Sequence, residues 1–200
     1  MNINQSALLE FWFGADLESA AAHAELSRRW FGKNPAFDEQ IRSLFGIFPD
    51  AAKNGDYDSW RDTDLGMLAL VVGLDQFPRN LFRNTPQSFA YDHRALTLAR
   101  EAIEAGALAR LHPLQSVFLY MPLEHTEDLS LQHECVAGLE ALAGGKTPLL
   151  ADKIMGFVEY AVAHREVIEK FGRFPHRNKI LGRESTAEEL AYLASGRGSF

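Results

Sequence analysis

Apolar residues recur along this chain at steps of three and four. Leu114, Val117, Phe118 and Met121 fall at i, i+3, i+4 and i+7, and Ile154, Val158, Ala161 and Ile168 draw a second stripe. That period is one face of an α-helix. No alternating run reads as a strand, and no Asn-Gly pair joins two β-branched segments. Helix starts are marked by a polar cap ahead of a proline at Asn34-Pro35, Thr85-Pro86, Thr147-Pro148 and, more weakly, His112-Pro113. Thr186-Ala187-Glu188-Glu189 is a capping box. Asn54-Gly55, Gly106, Gly144-Gly145 and Gly172 supply left-handed stops. Together these signals predict helices near 5–13, 17–31, 35–53, 63–76, 86–105, 113–121, 127–143, 148–171 and 186–195. The expected fold is all-α, about nine helices in an antiparallel array, because the connections are short. The 63–76 helix is apolar on nearly every face, so it is expected at the centre. Neither a linker nor a low-complexity tract divides the 200 residues, which read as a single domain.

Four helical positions break the apolar pattern. Arg165 lies four residues after Ala161 and three before Ile168, inside a stripe. Asp75 sits at the expected end of the most hydrophobic helix, against the negative end of the helix dipole. Asp92 shares a face with Leu96, Ala99 and Ile103, and Asp128, with Gln132, shares one with Cys135 and Leu139. A buried charge without a partner costs about 3–5 kcal/mol. These groups are therefore expected to pair with one another or with a ligand, and Arg165 is expected to be buried against Asp75, Asp128 or Glu124. A purely structural ion-pair network satisfies the same requirement.

Two loops repeat a pattern. Phe77-Pro78-Arg79-Asn80 follows the central helix, and Phe174-Pro175-His176-Arg177-Asn178 follows the long helix ending at Phe171. In each, proline is expected to stop the helix, phenylalanine to anchor the turn, and Arg and Asn to project from it. Guanidinium and amide donors on a fixed turn suit a carboxylate or phosphate, or alternatively the last carbonyls of a helix. The two turns are expected to be neighbours in space, as two sides of one anion site. Residues 164–183 carry six Lys and Arg against two Glu, while residues 120–134 carry Glu124, Glu127, Asp128 and Glu134 with no Lys or Arg. The basic segment either neutralises the acidic one or lines an anion pocket.

The chain as a whole carries a formal charge of −7, which argues against nonspecific binding to nucleic acid. The longest uncharged apolar run, Leu65 to Leu74, is too short to cross a bilayer, and the N-terminal segment lacks the basic start of a signal peptide, so the expectation is a cytoplasmic protein without a membrane partner. The single cysteine, Cys135, lies beside Val136 and Leu139 and reads as core. His125, flanked by Glu124 and Glu127, suits either an acid–base role or a structural hydrogen bond. No metal-binding spacing appears, and Gly144-Gly145-Lys146-Thr147 lacks the first glycine and the strand of a phosphate loop. Neither a metal nor a cofactor is expected.

Three segments carry a family resemblance: Leu74-Asp75-Gln76-Phe77-Pro78-Arg79-Asn80-Leu81-Phe82-Arg83; Phe118 to Leu129 around Pro122-Leu123-Glu124-His125-Thr126-Glu127-Asp128; and His164-Arg165 with Phe171 to Arg183. With Phe11-Trp12-Phe13-Gly14 and Glu184-Ser185-Thr186 they resemble the family known as domain of unknown function 924. The resemblance implies an all-helical fold grouped with tetratricopeptide-like proteins, mostly bacterial, and it implies no activity. From the residues themselves no such repeat is readable, since Leu65-Gly66 has no Trp three positions earlier and Pro78 interrupts the unit. The candidate ligand-binding set is Asp75, Arg79, Asn80, Arg83, Glu124, His125, Asp128, Arg165, Arg173, His176, Arg177 and Asn178. A binding module for an anionic small molecule or peptide comes first, because helical arrays favour concave recognition surfaces. An enzyme using Asp and His as acid and base, and a scaffold with a buried polar network, are the alternatives.

Overall fold

A computed structural model describes residues 3–196 and contains only helices and their connections. The helices are α1 (Gln5–Phe13), α2 (Ala20–Phe31), α3 (Pro35–Phe45), α4 (Phe48–Lys53), α5 (Asp64–Leu81), α6 (Asp92–Glu104), α7 (Pro113–Glu124), α8 (Leu129–Ala143), α9 (Pro148–Phe171) and α10 (Ala187–Ala194). Short 3-10 turns sit at Asp58–Asp62, Pro86–Phe89, Ala107–Ala109 and Pro175–Arg177. Asn34 caps α3 through its side chain, Thr186 and Glu189 form the reciprocal box on α10, and Gly172 ends α9 with φ 67°.

The central helix is α5, as its sequence requires. Every residue from Gly66 to Pro78 is buried, and α1, α3, α4, α6 and α7 all pack on it. From there the chain stacks in order, α6 on α5, α7 on α6, α8 on α7 and α9 on α8. Aromatic rings bind the N-terminal helices to this stack: Trp12 meets Phe77 at 5.7 Å and Phe118 at 5.9 Å, and Trp30 meets Phe118 at 4.7 Å. The indole N–H of Trp30 donates to the Trp12 carbonyl. A smaller cluster of Val167, Ile168 and Phe174, flanked by Phe171 and Tyr192, seats the C-terminal segment.

Three expectations are corrected here. Pro78 does not stop α5. The helix runs on to Leu81, because carrying Phe77 and Leu81 into the core outweighs one ladder bond lost at proline. Pro122 lies inside α7 in the same way. The segment 35–53 is two helices divided at Gly46-Ile47, and Thr85-Pro86 opens a 3-10 turn rather than α6, which starts at Asp92. Among the described residues no helix is long and apolar enough to cross a membrane.

Candidate functional site

The extension of α5 past Pro78 creates the site. It puts Asp75 in the interior of the helix rather than at its end, which removes the expected clash with the dipole. It also puts Arg79 one turn further along the same face. Asp75 is 1% exposed, and its carboxylate takes a hydrogen bond from Gln76 Nε2 at 2.6 Å and one from His125 Nδ1 at 2.8 Å. Arg79 Nη1 stands 3.4 Å from it. Burial alone would raise the Asp75 carboxyl, but Arg79 and His125 hold it well below the usual carboxylate range.

His125 caps the C-terminal end of α7, where the continuation through Pro122 delivers it. Its Nδ1 faces a carboxylate that can only accept, so Nδ1 carries the proton and Nε2 keeps its lone pair. Among the described residues Nε2 makes no hydrogen bond, and the side chain is 13% exposed. Burial, then the charge of Arg79, lowers the His125 pKa, which keeps the ring neutral near pH 7.

Arg79 reaches the start of α6 and holds Asp92 with both terminal nitrogens, at 2.9 and 3.1 Å. Asp92 is in the first turn of α6, where its negative charge suits the helix dipole. One of its oxygens lies 3.9 Å from Arg177 Nη1. The two Phe-Pro segments are therefore neighbours, as expected, joined through Asp92. Arg177 itself is buried between two rings, 4.7 Å from the centre of Phe89 and 4.4 Å from that of Phe174. Its guanidinium makes no hydrogen bond among the described residues, and Nε is fully enclosed. Burial, then Arg79, pushes its pKa down to about 10.

The contacts close on themselves. Phe174 meets His164 at 5.5 Å between ring centres, and His164 meets His125 at 6.3 Å. His164 Nδ1 lies 2.8 Å from the Tyr160 carbonyl and 3.2 Å from a Glu124 oxygen. Burial, then the charge of Asp75, raises Glu124 to about 8, so this carboxyl is protonated at neutral pH. Burial pushes His164 down to about 3 and His176, beside Phe174, to about 4. The set holds two carboxylates against two guanidiniums, with a neutral carboxyl and neutral imidazoles between them. Among the described residues no three His, Cys, Asp or Glu side chains stand where they could hold a metal ion.

Of the twelve candidates, Asp75, Arg79, Glu124, His125, His176 and Arg177 come together here. The rest do not. Asn80 and Arg83 bind Asp38 of α3, Arg83 with two bonds at 2.6 and 2.8 Å. Arg173 and Asn178 bind Glu189 of α10. Asp128 is an exposed N-cap on α8, accepting from the backbone of Ser130 and Leu131.

Arg165 is mostly buried, with Nε enclosed, but its carboxylate partner is none of Asp75, Asp128 and Glu124. Its side chain is 25% exposed and lies 3.3 Å from Glu169, one turn away on the same helix. The buried seam of α9 steps from Ala161 to His164 to Ile168, three then four, and not through Arg165, four then three. His164, Asp92, Phe89 and Gln76 complete the cluster. Asp92 and His164 carry sequence signals, as a carboxylate in an apolar face and as the alternative seam position, whereas nothing in the sequence marks Phe89. The acidic and basic segments do meet, through Arg183, whose two bonds to Glu127 measure 2.7 and 2.9 Å. Cys135 is core, its thiol pKa raised by burial.

The sequence profile of the family described as "Bacterial protein of unknown function (DUF924)" matches residues 8–197. The chain is similar to the solved structure of a protein of unknown function, ATU0120, from Agrobacterium tumefaciens. The two are 34% identical, with a TM-score of 0.80 over 96% of this chain and 97% of that one. No curated protein matches.

Proposed function

The chain belongs to the bacterial family of unknown function DUF924, and we propose that it binds a small molecule carrying a carboxylate or phosphate at Arg177, with His125 taking up a proton from solvent as the anion binds. One observation carries the reading. Arg177 is a buried cation whose guanidinium donates no hydrogen bond among the described residues and whose nearest ion-pair oxygen, on Asp92, is 3.9 Å away. A buried guanidinium has five donors to satisfy, and leaving them idle costs free energy that a bidentate anion recovers. Arg79, Arg83 and Arg173 differ, because each already holds a carboxylate. The same pairing favours the scaffold reading for the rest of the network.

The proton-exchange half of the proposal rests on His125. A neutral imidazole, oriented by a buried aspartate and with an Nε2 lone pair that no hydrogen bond engages among the described residues, has the make-up of a general base. Thermal unfolding with added inorganic phosphate or malonate at fixed ionic strength tests the first half. One of these anions raises the melting temperature of the wild type by mass action and leaves R177Q unmoved. Calorimetry in buffers of different ionisation enthalpy tests the second half, since proton uptake on binding disappears in H125Q. Equal responses of wild type and R177Q to every anion overturn the anion site, and binding with no net proton exchange overturns the role of His125.

A further inference from the structure

Arg177 is closed along its flanks and open at its end. Phe89 and Phe174 lie over the guanidinium, and Nε is fully enclosed. Neither terminal nitrogen is enclosed, and neither makes a hydrogen bond among the described residues. The side chain is only 9% exposed, so an incoming anion has to meet it end-on, at the fork of Nη1 and Nη2. Charge around that fork is already balanced. Asp75, Asp92 and Glu127 face Arg177 together with Arg79. Arg79 holds Asp92 at 2.9 Å, and Arg183 holds Glu127 at 2.7 Å. With Glu124 protonated, three carboxylates stand against three guanidiniums, Arg177 included. An anion oxygen bonded to Nη1 lies within about 7 Å of the Asp92 oxygen, because that oxygen is 3.9 Å from the same nitrogen.

We propose, resting on the anion site assigned above, that the head group taken at the Arg177 fork is a single carboxylate and that a phosphate dianion is rejected. The first negative charge of a ligand is met by Arg177 and by the proton that His125 takes up. A second charge finds no uncommitted cation, since Arg79 and Arg183 already hold Asp92 and Glu127, and Asp92 repels it. Withdrawing an ion from water costs free energy in proportion to the square of its charge, whereas attraction to one guanidinium rises only in proportion to the charge. In so enclosed a setting, doubling the charge costs more than it returns. A dicarboxylate such as malonate meets the condition with one head on the fork and the other in water. A phosphate monoester does not, because both of its charges sit on one head.

Benzoate and phenyl phosphate set the two heads on one ring. At about pH 7.5 benzoate carries one charge and the phosphate close to two, its second pKa being about 6. Thermal-unfolding titrations at fixed ionic strength give a dissociation constant for each. In the wild type these are expected to differ by about tenfold or more in favour of benzoate. R177Q is expected to lose its response to benzoate. D92N removes the carboxylate beside the fork, so the ratio is expected to shrink there, each variant being compared with its own unliganded melting temperature. Phenyl phosphate binding the wild type at least as tightly as benzoate, with both responses lost in R177Q, overturns the selection and leaves the anion site standing. Responses that are the same in wild type and R177Q overturn the site itself and the selection with it. A ratio in D92N equal to that of the wild type overturns charge balance as its origin, and the wild-type ratio decides the selection even where D92N is too unstable to titrate.

Discussion

Arg79 and Arg177, from segments nearly a hundred residues apart in sequence, share the carboxylate of Asp92, at 2.9 Å and 3.9 Å. Each cation lowers the tolerance of the site for the other, and Asp92 between them is what lets both remain.

D92N tests that sharing. The amide keeps the shape but leaves two guanidiniums facing each other in a partly buried setting. Stability is expected to fall by about 2–3 kcal/mol, measured by urea unfolding. In the D92N background R177Q is expected to cost less than in the wild type, or to restore stability, because it removes one of the repelling charges. Additive losses in the double mutant would show that Asp92 serves Arg79 alone.

Glu124 and the histidines bend the pH profile in opposite directions. Glu124 titrates near 8 when folded and near 4.5 when unfolded, so the folded state holds the extra proton between those values. The stability from the neutral carboxyl is complete below about pH 4.5 and is lost as pH rises through 8. His164 and His176, lowered to about 3 and 4, do the reverse: the unfolded state takes up their protons first, and stability falls as pH drops below 6.5. A dome with its top between these limbs is expected from chemical denaturation across pH 4–9. E124Q should flatten the limb above pH 6.5 and steepen the rise between 4.5 and 6.5, in each interval by up to about 1.4 kcal/mol per pH unit, because the Glu124 proton acts across both; below 4.5 the acid limb is left in place.

The elements legible in the sequence are those written in local chemistry. A cap such as Asn34 or Thr186 and a stop such as Gly172 act within one turn, so reading four residues suffices. Pro78 misleads because the cost of proline is local while the gain from burying Phe77 and Leu81 is tertiary. Arg165 misleads for a subtler reason. A helical seam of period 3.6 passes through either 164 or 165 between Ala161 and Ile168, and only the neighbours decide which. Half of the candidate site is legible because charged groups in apolar faces must pair. Their partners, Asp38 for Arg83 and Glu189 for Arg173, lie on surfaces whose approach the sequence does not announce.

That distinction separates two arginines. R165A removes a half-buried pair within one helix, Arg165 being 25% and Glu169 42% exposed, and is expected to cost about 1 kcal/mol or less. R173A strips two bonds from Glu189, which is 2% exposed and also holds Asn178 and the N-terminus of α10. It is expected to release α10 from the 175–177 turn and to speed proteolysis after residue 184, seen as a truncated product by mass spectrometry. An intact C-terminus in R173A, or a large loss in R165A, would contradict this assignment of roles.

Asp75 is where the electrostatics of the whole cluster meet, and D75N gives a coupled prediction. Its folded pKa is depressed, so the stability it contributes is present above about 4 and is lost as pH falls through the folded value. D75N is therefore expected to cost about 3 kcal/mol or more at pH 7, and the gap to the wild type should narrow as pH drops below 4. Two neighbours should respond in step. Glu124 loses the negative charge that helps raise it, so its titration moves down from about 8, and the alkaline limb of the stability profile moves with it. His125 loses the charge that opposes its lowering and titrates lower still, while the amide oxygen that D75N introduces can still accept from Nδ1. Nitrogen NMR of the imidazole reads both effects: the Nδ1–H form persists in D75N, and its protonation midpoint falls. A midpoint that rises, or a Glu124 limb that stays fixed, would mean that Asp75 does not set the charge of this cluster.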